Sequence, residues 1–343
     1  MSLQVRSVRL GPVTFRARPR TWLVAALAWV IALAGAVAVL FSGSVNMTPE
    51  QFWAALAGVG ERADMLLLWE FRMPRAVTGL VVGACLGTAG CLFQALSRNA
   101  LGSPEIIGLT GGAALGAVAS VIVFRSFGWG TAVGAIIGCL GAALLTWVLS
   151  PRGFGGGNRL ILIGLGVASL IQPVTVLLLT RADSDSATSA RLWLTGTLNA
   201  RNWSHAAVGA VLFAVILPFA LLISRHLDAA APGEDLAAGL GVSRRFTQWT
   251  ATGVGVALTA AAVAVAGPIS FIALAGPHVA RRLLKGPTAP AGVAAGTGAA
   301  LLVAADLVGA NLPGGLQLPV GVTAGLLGGA YLLLLLNGQE RKK

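Results

Sequence analysis

The sequence has little charge. Of its 343 residues only 10% are Asp, Glu, Lys or Arg, where soluble domains carry roughly 25%. Too few polar side chains remain to cover a water-facing surface, so the soluble globular classes are excluded. Acids are the scarcer sign, 12 against 24 Lys and Arg, for a net charge of +12. In a soluble chain that balance would point to nucleic acid. Here aromatic residues are 6% and there is one Tyr, which leaves no platform for stacking bases. The three cysteines, Cys85, Cys91 and Cys139, fall inside apolar runs without metal spacing, and read as small buried hydrophobes. Paired acids, metal-spaced histidines and an activated nucleophile are also missing, which removes the usual enzyme constellations. No phosphate loop of the form G-x-x-x-x-G-K-[ST] occurs, which removes ATP hydrolysis of that kind from this chain.

What is there is apolar length. Hydrophobic residues make up 56% of the chain. Residues 1–20 carry five arginines and no acid, and the run that follows is about 20 residues long. That is spanning length for a ~30 Å hydrocarbon core, longer than the apolar core of a signal peptide. Apolar runs at about 21–41, 73–97, 104–124, 130–150, 159–180, 203–224, 246–266, 269–284, 288–309 and 318–336 predict an all-α polytopic membrane protein with about ten spans. The domain reading is a basic cytoplasmic amino terminus (1–20), a ten-helix membrane domain (21–337) and a basic cytoplasmic tail (338–343). With both ends inside, 17 Lys and Arg fall inside and 7 outside, as the positive-inside rule requires. Trp22, Trp53, Trp69, Trp129, Trp193 and Trp203 lie near span ends, where interfacial tryptophans sit.

Between the spans, residues 42–72 contain an amphipathic stretch around Pro49–Val59, read as a short interfacial helix. In 181–202 the pair Asp183 and Asp185 lacks the remaining ligands of a calcium loop. The cytoplasmic loop at about 225–246 is the most polar stretch of the second half. Its Pro232-Gly233 turn precedes Glu234 and Asp235, acids suited to a first helical turn. Gly267-Pro268 and Gly276-Pro277 interrupt an apolar run nine residues apart. Broken backbone at membrane depth is tolerated where protein or an aqueous pathway satisfies it. His278 reads as a packing or capping residue, with a proton relay as the alternative. Asp306 lies inside the ninth span, and ionisable groups there are functional candidates.

The stretch from Arg72 to Gly112 carries a recognisable order of residues. Arg72-Met73-Pro74-Arg75 opens it, followed by an uncharged span in which Gly79, Gly83, Gly87 and Gly90 share one helix face. Gln94, Arg98, Asn99, Leu101, Pro104 and Gly108 then recur at fixed spacing. Three later strings agree in order: Gly233, Glu234, Ala237, Leu240, Gly241 and Val242; the Gly267-Pro268 to Pro277-His278 segment; and Leu318-Pro319-Val320-Gly321. This pattern resembles the permease family of ATP-binding-cassette importers for iron–siderophores, haem and vitamin B12, the FecCD/BtuC type. The resemblance covers about residues 20–337. It departs where the family has Asn-Pro-Leu-Ala and this chain has Asn99-Ala100-Leu101-Gly102, and where a family arginine is Ala310.

The resemblance implies a BtuC-like, type II importer permease in the cell membrane that imports iron, as ferric siderophores. Haem or cobalamin cargo, or a proton-coupled secondary transporter, is the alternative. It implies three partners: a separate ATP-binding-cassette ATPase, a second permease that is identical or homologous, and an extracellular or periplasmic binding protein. No cofactor is expected on this chain, with ATP and Mg on the ATPase, and no nucleic acid. By the same resemblance Arg72 and Arg75 dock the binding protein. Gly233, Glu234, Ala237, Leu240 and Gly241 couple to the ATPase. Gln94, Asn99, Pro104, Gly108, Gly267, Pro268, Pro277, His278 and Asp306 are pathway or gating candidates.

Overall fold

A computed structural model describes residues 6–10, 13–17, 19–43, 47–150, 158–231, 239 and 241–340. A two-stranded antiparallel ribbon comes first, β1 (Arg6–Leu10) against β2 (Val13–Ala17), with Leu10 paired to Val13. The sequence expectation had no element there. Everything after it is helical.

Helix α1 (Pro19–Phe41) is followed by two short pieces, α2 (Pro49–Leu56) and α3 (Arg62–Leu66). The amphipathic stretch is thus a helix, started by a capping box between Thr48 and Gln51. Leu67–Arg72 is a π-helical turn that runs directly into α4 (Met73–Ser97). The wider turn accounts for the position of Pro74. Met73 donates its N–H to Leu68, five residues back, so the chain enters α4 through a widened ring beside a residue that has no N–H to give. The remaining helices are α5 (Leu109–Ile122), α6 (Trp129–Leu149), α7 (Asn158–Arg181), α8 (Ser184–Leu194), α9 (Trp203–Ala230), α10 (Arg244–Ala266), α11 (Ile272–Leu284), α12 (Ala291–Ala310) and α13 (Val320–Glu340).

Each expected span contains a helix, but the spans are unequal. Among the described residues seven helices are long and apolar enough to cross a membrane, and Leu109–Ile122 and Val320–Leu333 are shorter apolar helices. At 1.5 Å per residue α5 and α11 are only about 20 Å long, so their ends lie at membrane depth. The sequence expectation had no element at α8. Its periodicity is weak because Ser184 to Ser189 are all small or polar.

Helix α4 is the centre of the bundle, packed by α9, α10, α11 and α12. Its glycine face lets α12 lie against it. A Cβ at Gly87 would stand 2.2 Å from the carbonyl oxygen of Ala294. Dispersion and close backbone contact drive such packing in lipid, where no hydrophobic gain is available. A second seam of this kind joins α5 to α6, where a Cβ at Gly116 would meet the Gly134 oxygen at 2.1 Å. Outward faces of the peripheral helices are apolar, with Leu23, Val30, Ile137, Leu162 and Val211 more than half exposed, as a lipid-facing surface demands.

Candidate functional site

The expected site residues fall into three levels along α4. At its Arg72 end, Arg75 and Asp306 form a two-point ion pair. Nε lies 2.8 Å from Oδ2 and one terminal nitrogen lies 2.8 Å from Oδ1. The carboxylate side chain is 4% exposed and the guanidinium 19%. Planar forks of this geometry are the strong form of the interaction. Arg72, one helical turn away, is buried at 6% exposure. It donates to the carbonyl oxygen of Leu40 at 2.5 Å, in the last turn of α1, where a cation complements the helix dipole. Both arginines were expected to dock a protein partner from the outer face. Within the chain both guanidinium groups have partners, Arg75 remains part-exposed and Arg72 is covered. The physical reason is that α1 and α12 end at this level and supply a carbonyl and a carboxylate.

At membrane depth the chain breaks its helices and satisfies them with other breaks. Gly108, at φ 89°, caps α5. Gly267, at φ 79°, ends α10, and the Pro268 segment leads to α11. Thr197 donates its backbone N–H to Ala266, and Gly321 donates to Gly196. The loop after α8, the end of α10 and the start of α13 are thereby pinned together. Phe271, at φ 68°, starts α11, and its N–H is accepted by the Glu105 carboxylate at 3.3 Å. Glu105 was not singled out from sequence. The signal was available: it is an ionisable residue one position into the third expected span, the criterion that picked out Asp306.

The second Gly-Pro pair does not break the chain. Pro277 sits inside α11. It deprives the Ala273 carbonyl of its helical donor, and that oxygen faces Gly90 of α4, where a Cβ would stand 1.7 Å away. The break expected at Gly276-Pro277 is therefore a tight helix crossing.

At the Ser97 end Gln94 is buried and bridges two elements. Its Nε2 donates to the Leu274 carbonyl at 3.1 Å, and its Oε1 accepts from Arg281 at 2.5 Å. Arg281 also lies 3.5 Å from Nδ1 of His278, whose ring meets Tyr331 edge-on at 5.9 Å between centroids. His278 thus lies between α11 and α13. Arg20 donates twice to the Leu283 carbonyl, at 3.2 and 2.8 Å, tying α1 to the end of α11. Arg98 is left-handed at φ 50° and closes α4. Asn99 accepts from the N–H of Leu101 at 2.8 Å, and Pro104 is buried in the turn toward α5. Gly233, Glu234, Ala237 and Leu240 lie outside the described residues. Gly241 is described, at φ 74° with open space around its Cα, so conformation is what requires glycine there. No group of three metal-ligating side chains occurs among the described residues.

Comparison with known proteins identifies the family. The FecCD transport family matches residues 28–337. The ferric enterobactin transport system permease protein FepG of Escherichia coli (strain K12) is 40% identical over 306 residues, 89% of this chain and 92% of that one. The probable siderophore transport system permease protein YfhA of Bacillus subtilis (strain 168) is 33% identical, covering 93% and 96%. A solved inward-facing structure of a metal-chelate type ABC transporter superposes with a TM-score of 0.81 at 25% identity, covering 92% of this chain and 99% of the other.

Proposed function

Because this chain belongs to the FecCD transport family, we propose that it forms one half of the membrane pathway of an ATP-driven importer whose cargo is a ferric siderophore. The chain is a multi-pass membrane permease and not itself an enzyme. The observation that carries the reading is the continuity of the likeness: 40% identity runs along 92% of a permease named for a ferric siderophore. Siderophore is preferred to haem and cobalamin on that ground.

The energy source in this reading is a separate ATPase. A second permease completes the pathway and a binding protein delivers the chelate. Both termini are cytoplasmic, which puts the Arg72 end of α4 outside. The loop at 225–246 then faces the ATPase, and closure of the ATPase dimer moves it, with Gly233, Glu234, Ala237, Leu240 and Gly241 at the contact. Binding-protein docking falls to Arg75 on the outer face, and it requires a partner carboxylate to share or replace Asp306. Arg72 supports that site from beneath by fixing the end of α1.

Uptake of iron-55 siderophores, iron-55 haem and cobalt-57 cobalamin by cells lacking the chain, with and without its restoration, tests the cargo. Ferric siderophores should be taken up only when the chain is present, whereas haem and cobalamin should enter equally in both strains. Uptake of siderophore iron that is independent of the chain would end the proposal. Gentle purification followed by mass spectrometry should recover an ATPase. A chain that purifies alone and supports ionophore-sensitive uptake would favour proton coupling instead.

A further inference from the structure

The register of the β1–β2 ribbon sorts its residues by kind. Cross-strand partners share a face, and successive pairs alternate between the two faces. Arg6–Ala17, Val8–Phe15 and Leu10–Val13 fall on one face, and Ser7–Arg16 and Arg9–Thr14 on the other. The first face thus holds Val8, Leu10, Val13 and Phe15, and the second holds only polar and basic positions. The sheet has two strands, and among the described residues no helix packs along it. A lone two-stranded ribbon is marginal in water, and it needs a surface against its apolar face to persist.

Tethering and charge identify that surface. Strand β2 ends at Ala17 and α1 begins at Pro19, so at most about 7 Å of chain separates the ribbon from a spanning helix. Trp22, in the first turn of α1, is 63% exposed, as an interfacial anchor is. The ribbon is therefore held at head-group level. The sequence has five arginines before Thr21 and no acid before Glu50. The neighbouring chain offers no opposite charge. Arg20 ties the start of α1 to Leu283 in the last turn of α11, beside Arg281, Arg282 and Lys285. Counted over the whole sequence, undescribed residues included, the segments at this end of the bundle carry 17 Lys and Arg against five acids, Glu105, Asp228, Glu234, Asp235 and Glu340. An amphipathic, basic element fixed at the interface matches an anionic lipid surface, with its apolar face at the acyl boundary and its cations among the phosphates.

We propose that the β1–β2 ribbon lies in the membrane surface and binds anionic phospholipid, with the Val8–Phe15 face toward the acyl chains. Which leaflet supplies the lipid rests on the orientation proposed above; the binding itself does not. Docked in this way, the ribbon fixes the first turn of α1, and through Arg20 the end of α11.

Hydrogen–deuterium exchange of the full-length chain in nanodiscs tests this, with phosphatidylglycerol or phosphatidylcholine of the same acyl chains as the lipid. Amides in residues 6–17 should exchange at least tenfold more slowly in phosphatidylglycerol, and 1 M salt should remove most of that difference. Arg6→Gln, Arg9→Gln and Arg16→Gln should each reduce the protection roughly fivefold. Phe15→Ser should reduce it roughly tenfold or more, whereas Thr14→Ser, on the opposite face, should leave it unchanged. Unaltered exchange in α4 shows that each variant is folded. Equal exchange in the two lipids, or equal effects of Phe15→Ser and Thr14→Ser, would overturn the proposal. Protection already complete in detergent without lipid would assign the ribbon to the chain itself, and protection that appears only when an ATPase is added would assign it to a protein partner; either result overturns the lipid. None of these readouts needs transport, so they stand apart from the fate of the importer reading.

Discussion

Arg75 and Asp306 are 231 residues apart in the chain and meet through two 2.8 Å contacts. They close the end of the glycine seam at which α4 and α12 pack. Removing one member of a buried pair strands the other, at about 3–5 kcal/mol. Arg75→Ala and Asp306→Ala should each lower stability by that order, discounted somewhat for the partial exposure of Arg75. The double variant should cost less than their sum. Thermal unfolding of the four chains in one detergent gives the coupling directly, and strict additivity would show that the pair does not act as a unit.

The close approach of α4 and α11 gives a steric prediction. Gly90→Ala places a carbon where the Ala273 oxygen already stands. Overpacking of this kind costs about 1–3 kcal/mol, and the blocking atom is backbone, which puts the cost at the upper end. Gly141→Ala is the matched control, since nothing lies within 4 Å of a Cβ there. Gly90→Ala should reduce the amount of folded protein recovered, and Gly141→Ala should not.

Glu105 holds the first turn of α11 through the Phe271 N–H. Glu105→Gln keeps an acceptor oxygen and should preserve both stability and uptake within about twofold, as expected for a loss under 0.5 kcal/mol. Glu105→Ala leaves the N–H without that partner and should slow uptake severalfold. If the Gln variant fails as completely as the Ala variant, the charge of Glu105 matters beyond its hydrogen bond.

Asp183 gives a pH dependence. Its carboxylate accepts from the backbone N–H of Ser186 at 3.2 Å as the N-cap of α8. Hydrogen bonds from the Ser186 backbone, then its side chain, hold the carboxyl below the usual range, with a smaller contribution from Arg125. A lowered folded pKa means that the stabilisation is fully present above the unfolded value near ~3.9 and fades as pH falls through the folded one. Amide exchange in residues 184–194 should therefore accelerate only below about pH 4. Asp183→Asn keeps the capping oxygen and should abolish that acceleration; persistence of it would place the titrating group elsewhere.

Some of this protein is written locally and some is not. The uncharged run from Ala76 to Phe93 predicts a membrane helix by length alone, and the spacing of Gly79, Gly83, Gly87 and Gly90 predicts a closely packed face. Gly267-Pro268 reads correctly as a break, since neither residue favours continuing a helix. Gly276-Pro277 has the same local chemistry and the opposite outcome, because Gly90 and Gln94 of α4 accommodate the carbonyls that Pro277 disturbs. The π turn before Met73 and helix α8 also escape a sequence reading, for their periodicity is weak.

The sequence by itself determined the class, the sites of the apolar helices and the family, because these depend on hydrophobic length, charge scarcity and ordered motifs. The tertiary structure alone decided the partners of the polar groups. Arg72 takes the end of α1, Arg75 takes Asp306, Glu105 takes Phe271 and Gln94 takes Arg281. Each partner but that of Arg72 is more than 150 residues away, and no local rule encodes such distances. A polar group in an apolar bundle must be satisfied by whatever the fold brings to its level of the membrane, and only the packing of the helices fixes what that is.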